Sequence, residues 1–342
     1  MSTAATLVAA AVHMLDDYPT DLAWSFASDA LIVGGGEGGL YLVRGGDAPQ
    51  LLGRHEPGVL GLAWQPRGEL LASSGQDGSV RLWNTTTIGA DAQIAHRGMR
   101  WPTGLAFRAD GQRLAFAVGK ELLVLDASGA LQSTLSGHNC PVSHLAWRGR
   151  DELIAAGNGS LFVDRTDEGG KVTQFGLEGT PLTLALSADL KVAASGLADG
   201  SINFRHLNNQ KRSRMSGYEG KVDQTVWSAN SRYLATSSTG ASSIVVWDFS
   251  GRGPEGSDPW QLASHEERID SLAWQSAGPF LASAGRDWRV VLWRPGPAAH
   301  QPLDIQLLDG PAGLARWSPD GKQLAVAQPS GKLRIYSLRA RG

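Results

Sequence analysis

Apolar residues come in short runs along this chain, and each run is closed by a polar turn. "VLGLAWQP" at 59–66, "ELLASSG" at 69–75 and "SVRLWN" at 79–84 follow one another, divided by "RG" and "QDG". Runs of this length, rich in Val, Leu and Trp and bounded by Gly and Asp, predict strands, and no helix-length periodicity competes. The segment "PQLLGR" at 49–54 precedes them and predicts a fourth strand of the same unit. The pattern then recurs. "LASSGQDGSVRLW" at 71–83 has a near-copy in "LASAGRDWRVVLW" at 281–293. The aromatic of an "LAW" phrase, or its equivalent, falls at Trp24, Trp64, Phe107, Trp147, Leu186, Trp227, Trp274 and Trp317. Intervals of about forty residues mark an array of propeller type. Eight units of four short strands, apolar on both faces, predict an all-β propeller whose blades bury one another.

The ends of the chain fit the same scheme. The last unit has "KQLAVAQ" (322–328) and "KLRIYSL" (332–338) and then stops, one strand short. "TLVAAAVHM" at 6–14 is a strand with no partner before it. Residues 1–14 are therefore expected to complete the last blade and close the ring, within a single domain over 1–342. Seven blades, with an irregular first unit outside the ring, is the alternative.

Over essentially its whole length the chain resembles the WD40-repeat β-propellers. Their signature is a His in the loop before the first strand, Ser or Thr in the second strand, Asp in the tight turn and Trp in the third strand. Unit 2 supplies His55, Ser73, Asp77 and Trp83; unit 7 supplies His265, Ser283, Asp287 and Trp293. The resemblance implies that each set forms a hydrogen-bonded chain inside its blade, so that Asp77 and Asp287 matter for stability where a surface Asp110 does not. His13, His96 and His138 are assigned to the same loop position. Other units have decayed: unit 5 keeps Ser195 and Asp199 but has Arg205 at the Trp position, and unit 6 keeps Trp247 but has Tyr218 for the His.

Composition removes several classes of function. Lys and Arg total 31 against 33 Asp and Glu, a formal net charge of −2, so no global basic field attracts nucleic acid or an anionic membrane. Cys140 is the single cysteine, which rules out an internal disulfide and fits a reducing compartment. No apolar run is long enough to span a bilayer. "AATLVAAAVHML" at 4–15 has the apolar character of a signal-peptide core, but no basic residue precedes it, and a strand accounts for it better. A cytoplasmic monomer is expected.

Catalytic motifs are scarce. Gly34, Gly36 and Gly39 satisfy GxGxxG, but "LYLV" follows where a helix is needed, so a turn between strands is expected. Asn84 and Asn158 match glycosylation sequons, which carry information only on secretion. Lys211, Arg212 and Arg214 fall on a predicted outermost strand of unit 6, where charge guards an exposed edge. Only "HNCPVSH" at 138–144 gathers His138, Cys140 and His144, residue types that bind zinc when three or four converge. It supports an alternative reading, a metal- or small-ligand-binding accessory protein using this region or the channel mouth. Otherwise no cofactor and no enzymatic activity are expected.

The tryptophans are more informative. Of the 12, those in "LAW" phrases and those in third strands have structural places; Trp101, Trp260 and Trp288 do not. Trp288 stands where unit 2 has turn residue Gly78. Trp101 lies in "HRGMRWPTG", where His96 precedes Leu105 by nine positions while His55 precedes Leu62 by seven. In WD40 propellers these turns and loops share the narrower face. Aromatics and arginines carried by loops on a rigid scaffold are the usual anchors of an interface. The expected function is a non-catalytic scaffold presenting that face to a protein or peptide. Trp288, Trp101, Arg286, Arg100, Tyr218 and Arg268 are the candidate contacts. The Gly- and Pro-rich insertions at 249–259 and 294–302 are expected to be solvated connections.

Overall fold

The computed structural model describes residues 5–87, 92–167, 170–251, 253–256, 258–296 and 300–340. Among them every regular element is a strand, and the strands form eight antiparallel four-stranded sheets. The fold is an eight-bladed β-propeller, and the first unit supplies a complete blade of its own. Blades 1 to 7 cover 19–54, 59–97, 102–135, 142–176, 185–216, 222–263 and 269–307; blade 8 covers 314–340 and takes one further strand from Ala5–Met14. None of the described residues forms a helix long and apolar enough to cross a membrane.

One expectation about strand membership is corrected. Gln50–Arg54 pairs with Gly39–Val43, so "PQLLGR" is the fourth strand of blade 1 and not part of blade 2. The same shift puts Arg212–Ser216, with its arginines, on the outer edge of blade 5. The reason is local. Third and fourth strands are joined as an antiparallel hairpin, whereas the next strand, Val59–Trp64, pairs with its own successor, Leu70–Gly75. Every sequence unit thus contributes its leading strand to the preceding blade, and the first such strand has only the last blade to join. Ala5–Met14 runs antiparallel to Lys332–Ala340, with Leu7 opposite Leu338 and His13 opposite Leu333. Leu7 N–H and Thr6 Oγ1 both donate to Asp304 Oδ2 at 2.8 Å. Residues 1–4 of the segment lie outside the described residues.

The chain divides into two compact units. One holds residues 15–184 and blades 1–4; the other holds 1–14 with 185–342 and blades 5–8. Within each, the core lies between neighbouring blades. Ile32, Leu40 and Leu42 meet Val59, Leu71 and Trp83 in the first unit; Ala5 and Leu7 meet Leu292, Trp317 and Tyr336 in the second. Second strands are buried on both faces, as in Leu31–Gly35 and Leu281–Gly285, which is why they read as continuous apolar runs and not as alternation. The "LAW" indoles tie blades together. Trp147, Trp227 and Trp317 each donate Nε1–H at 3.1 Å to the carbonyl of Ala106, Ala185 or Ala273, the residue before the matching position in the previous blade. A repeated Trp therefore supplies both apolar area and a satisfied polar handle.

Candidate interaction surface

The turn between second and third strands is held rigid from inside the blade. In blade 2, His55 Nε2 meets Ser73 Oγ at 2.7 Å and Nδ1 meets Asp77 at 3.0 Å, while Trp83 Nε1–H donates to Ser73 Oγ at 2.8 Å. Blade 7 repeats the set: His265 to Ser283 at 2.7 Å, to Asp287 at 2.9 Å, and Trp293 to Ser283 at 2.9 Å. Burial drives the His55 and His265 pKa values below their ordinary value and outweighs the raising effect of the Asp in each set. Burial would raise the Asp77 carboxyl, but hydrogen bonds from Ser79 and His55 prevail and bring its pKa down to about 2. Blade 2 therefore holds a neutral imidazole beside a carboxylate, and the blade 7 imidazole is neutral for the same reason.

Decayed units solve the same problem with other residues. In blade 6 the Tyr218 hydroxyl lies 2.8 Å from Thr236 Oγ1 and accepts Trp247 Nε1–H at 2.8 Å, replacing the imidazole. Tyr218 was expected on the binding face; its hydroxyl is instead committed inside the blade. In blade 4 the Ser position is Ala155 and the Trp position is Asp164. His138 Nε2 reaches Asp164 at 2.9 Å and Nδ1 donates to the Lys120 carbonyl at 2.8 Å, with both side chains fully buried. Both ring nitrogens are occupied, so His138 has no lone pair to offer a metal. Cys140 packs against Gly157, and Ser143 Oγ lies 2.8 Å from His144 Nδ1. Among the described residues no group of three potential ligands forms, and the geometry does not favour the metal reading of 138–144.

His13 and His96 are also corrected. They lie inside strands, in Ala5–Met14 and Gln93–Arg97, two residues ahead of the loop position. That position belongs to Leu15 and Gly98, seven residues before Leu22 and Leu105. His96 packs its ring on Phe116 at 5.4 Å. Trp260 finds a structural place as well, against Tyr233 at 5.3 Å.

Loops and turns meet at one end of each blade. The carbonyl of the third turn residue accepts a backbone N–H from the next loop: Gly38 from His55 at 2.9 Å, Gly78 from Gly98 at 3.0 Å, Gly159 from Leu177 at 2.9 Å. Trp288 makes the same bond, accepting from Leu308 at 2.8 Å, and keeps the left-handed backbone of the glycines with φ of 63°. At Gly78 a Cβ would approach the Gly98 carbonyl oxygen to 1.9 Å, so the substitution is tolerated only where the next loop stands back. Trp288 is 52% exposed. Its neighbour Arg286 donates N–H to the Arg268 carbonyl at 2.9 Å and pairs with Asp270 at 2.9 Å. Arg268 in turn binds Asp270 and Asp223. Burial raises the Asp223 pKa despite the Arg268 charge. Arg268 and Arg286 are thus neutralised where they stand.

The corresponding loop of the other unit differs. Trp101 is 55% exposed, Met99 is fully exposed, and Arg97 and Arg100 are exposed beside them. Arg100 lies over Gly119, and Lys120 follows in the adjoining turn. Sequence reasoning singled out Arg100 and Trp101 but missed Arg97, Met99 and Lys120. The run "RGMRW", with no acid inside it, was the available signal.

With this geometry in view, the similarities to known proteins fall into place. The model of the WD domain, G-beta repeat (WD40) matches residues 49–84, 129–166 and 257–294. The chain carries WD40 repeats. Each matched WD40 stretch contains one of the three loop histidines, His55, His138 or His265. Among curated relatives, Protein HIR1 of Mycosarcoma maydis is 23% identical over 289 residues, 82% of this chain and 23% of that protein. The chain thus spans about a quarter of that relative's length. Among solved structures, the computationally designed Ika8 protein superposes with a TM-score of 0.78 at 18% identity, covering 96% of this chain and 99% of that one. A chain from the Mitotic Checkpoint Complex gives a TM-score of 0.64 at 18% identity, covering 81% of this chain and 86% of its own. Both likenesses concern the fold.

Proposed function

We propose that the chain works as a non-catalytic protein-interaction scaffold, one propeller domain that presents its loop-and-turn end to protein or peptide partners. The observation that carries this reading is Trp288. A bulky residue at positive φ is a conformational outlier, yet the turn around it is pinned by Asp287, Arg286 and its own carbonyl, and the residue stays half exposed. A residue that breaks a local rule without a folding gain points to function. The candidate contacts are Trp288, Arg286 and Arg268 in one unit and, taken separately, Trp101 and Arg100 in the other. Tyr218 is left to its blade. The structural neighbour from the Mitotic Checkpoint Complex is itself part of a protein assembly, which is in keeping with this reading. A monomer in the cytoplasm, without cofactor or nucleic-acid partner, fits the single cysteine and the net charge of −2.

The test is affinity capture from the native cell with wild type, Trp288→Ala and Trp101→Ala. Loss of specific partners on at least one substitution, with unchanged melting, supports the scaffold. An identical partner set for all three overturns this choice of face.

A further inference from the structure

We infer that the loop at 97–101 takes an acidic peptide segment carrying a large apolar side chain; this rests on the scaffold reading and names the partner class of that loop. Charge is the argument. Arg97, Arg100 and Lys120 are exposed, and among the described residues none of them has an ion-pair partner. Glu121, the acid nearest in sequence, pairs with none of them. On the other unit Arg268, Arg286 and Arg289 are each held by Asp223, Asp270, Asp287 or Glu266. Three uncompensated cations gathered on one loop and its adjoining turn, in a chain of net charge −2, make a local site for negative charge.

Met99 and Trp101, two exposed apolar groups, stand among those cations in the sequence. Met99 projects wholly into solvent and Trp101 keeps about half its surface there. Trp and Arg are the side chains most often found as interface hot spots, and Met adapts its shape to what it meets. The platform beneath is ordered: Gly98 N–H binds the Gly78 carbonyl at 3.0 Å, and Val142 N–H binds the Gly119 carbonyl at 2.8 Å. Arg100 is laid across Gly119, where an added Cβ would come within 2.5 Å of Nη1. Carboxylates of a bound segment would meet Arg97, Arg100 and Lys120, and its apolar side chain would cover Met99 and Trp101. Such binding is charge-assisted and salt-sensitive, since exposed charges are screened over about 10 Å at ~0.1 M salt.

The probe is a fluorescein-labelled peptide, Gly-Asp-Glu-Asp-Leu-Phe-Glu-Asp-Gly. Its controls are a peptide with every acid changed to Lys and a labelled oligothymidine of equal charge. Fluorescence anisotropy with the full chain should show binding of the acidic peptide only. Affinity should fall at least about tenfold for Arg97→Glu with Arg100→Glu and for Trp101→Ala. It should weaken as salt rises from about 50 to about 300 mM, and the exposed Asp47→Ala should leave it unchanged. No binding of the acidic peptide, equal affinity for the charge-reversed variant, or equal binding of the oligonucleotide would each overturn the inference. If the peptide fails while affinity capture still depends on Trp101, the acidic partner is wrong and the scaffold stands.

Discussion

His55 in blade 2 and His138 in blade 4 stand at the same place in their repeats, each seven residues before the Leu of the first strand. Their rings meet different partners. His55 shares a hydroxyl with Trp83 and touches Asp77 in the turn; His138 faces Asp164, which occupies the Trp position itself. Burial is the largest influence on both and acts against the charged ring. It prevails at His55, whereas at His138 the hydrogen bond and charge of Asp164, helped by the Lys120 carbonyl, overcome it and raise the pKa. The repeat thus conserves a place for a buried imidazole and leaves its charge to the third-strand residue. Burial favours the neutral imidazole in one blade, whereas Asp164 favours the charged imidazole in the other, and the two should fail differently.

The largest difference is expected on removing one partner of the pair. Asp164→Ala leaves a buried imidazole without its counter-charge and should cost about 3–5 kcal/mol. Replacing both His138 and Asp164 by apolar residues of similar size should restore most of that loss. Equilibrium denaturation of the single and double variants measures both. If Asp164→Ala cost no more than a surface substitution, the pair would not be the fastening of blade 4.

Blade 2 and blade 7 should lose less. Asp77→Ala and Asp287→Ala remove hydrogen bonds to groups that keep other partners, and each should cost about 1–3 kcal/mol. Asp110, expected to be an indifferent surface acid, is a poor control. It accepts two bonds from the buried Arg108, at 2.9 Å and 2.7 Å. Exposed Asp47 is the proper comparison, with an expected change within about 0.5 kcal/mol. Equal melting of Asp77→Ala, Asp287→Ala and Asp47→Ala would dissolve the assigned networks.

The distance between expectation and outcome follows from what a repeat can reveal. Blade number and strand completion were readable because "LAW" and the Asp-turn-Trp phrase recur at fixed spacing and every copy must bury the same two faces. His13 and His96 were misplaced because a histidine near a loop looks the same whether it ends a strand or follows it; the seven-residue step to Leu22 and Leu105 was the cue that decides. The pairing of His138 with Asp164 was hidden because it joins a loop to a third strand and arises from two substitutions, Ala155 and Asp164, neither of which reads as a motif. Tyr218 was seen as a missing His, but not that its hydroxyl would reach the site of the imidazole nitrogen.

The pH dependence of the two blades should have opposite signs. His138 has a raised folded pKa, so its contribution is complete below the unfolded value of about 6.5 and is lost as pH rises through the folded value. His55 and His265 have lowered folded values, so theirs is present above about 6.5 and is lost as pH falls toward the folded value. The stability advantage of wild type over Asp164→Asn should therefore shrink with rising pH, while its advantage over His55→Asn should shrink with falling pH. Each slope is limited to about 1.4 kcal/mol per pH unit for one proton. Parallel profiles for the two variants would remove the distinction between the blades.

The smallest expected change in stability belongs to the turn that these networks support. Asp77 and Asp287 hold turns of the same shape, followed by Gly78 in one and Trp288 in the other, with φ of 72° and 63°. A left-handed backbone costs a residue with a Cβ about 1–2 kcal/mol, and Gly escapes that strain. Gly also gives the unfolded chain more freedom, worth about 0.4–1 kcal/mol in the other direction. Trp288 is half exposed, so its removal exposes little new core. Trp288→Gly should accordingly leave stability unchanged or raise it by up to about 1 kcal/mol. If Trp288 is an interface anchor, the same substitution should weaken partner binding by about 2 kcal/mol or more. Thermal melting and affinity for a captured partner, measured on one preparation, separate the two effects. A variant that melts markedly lower and binds normally would show that Trp288 serves its own blade, and the burden of recognition would pass to Trp101 and the loop around it.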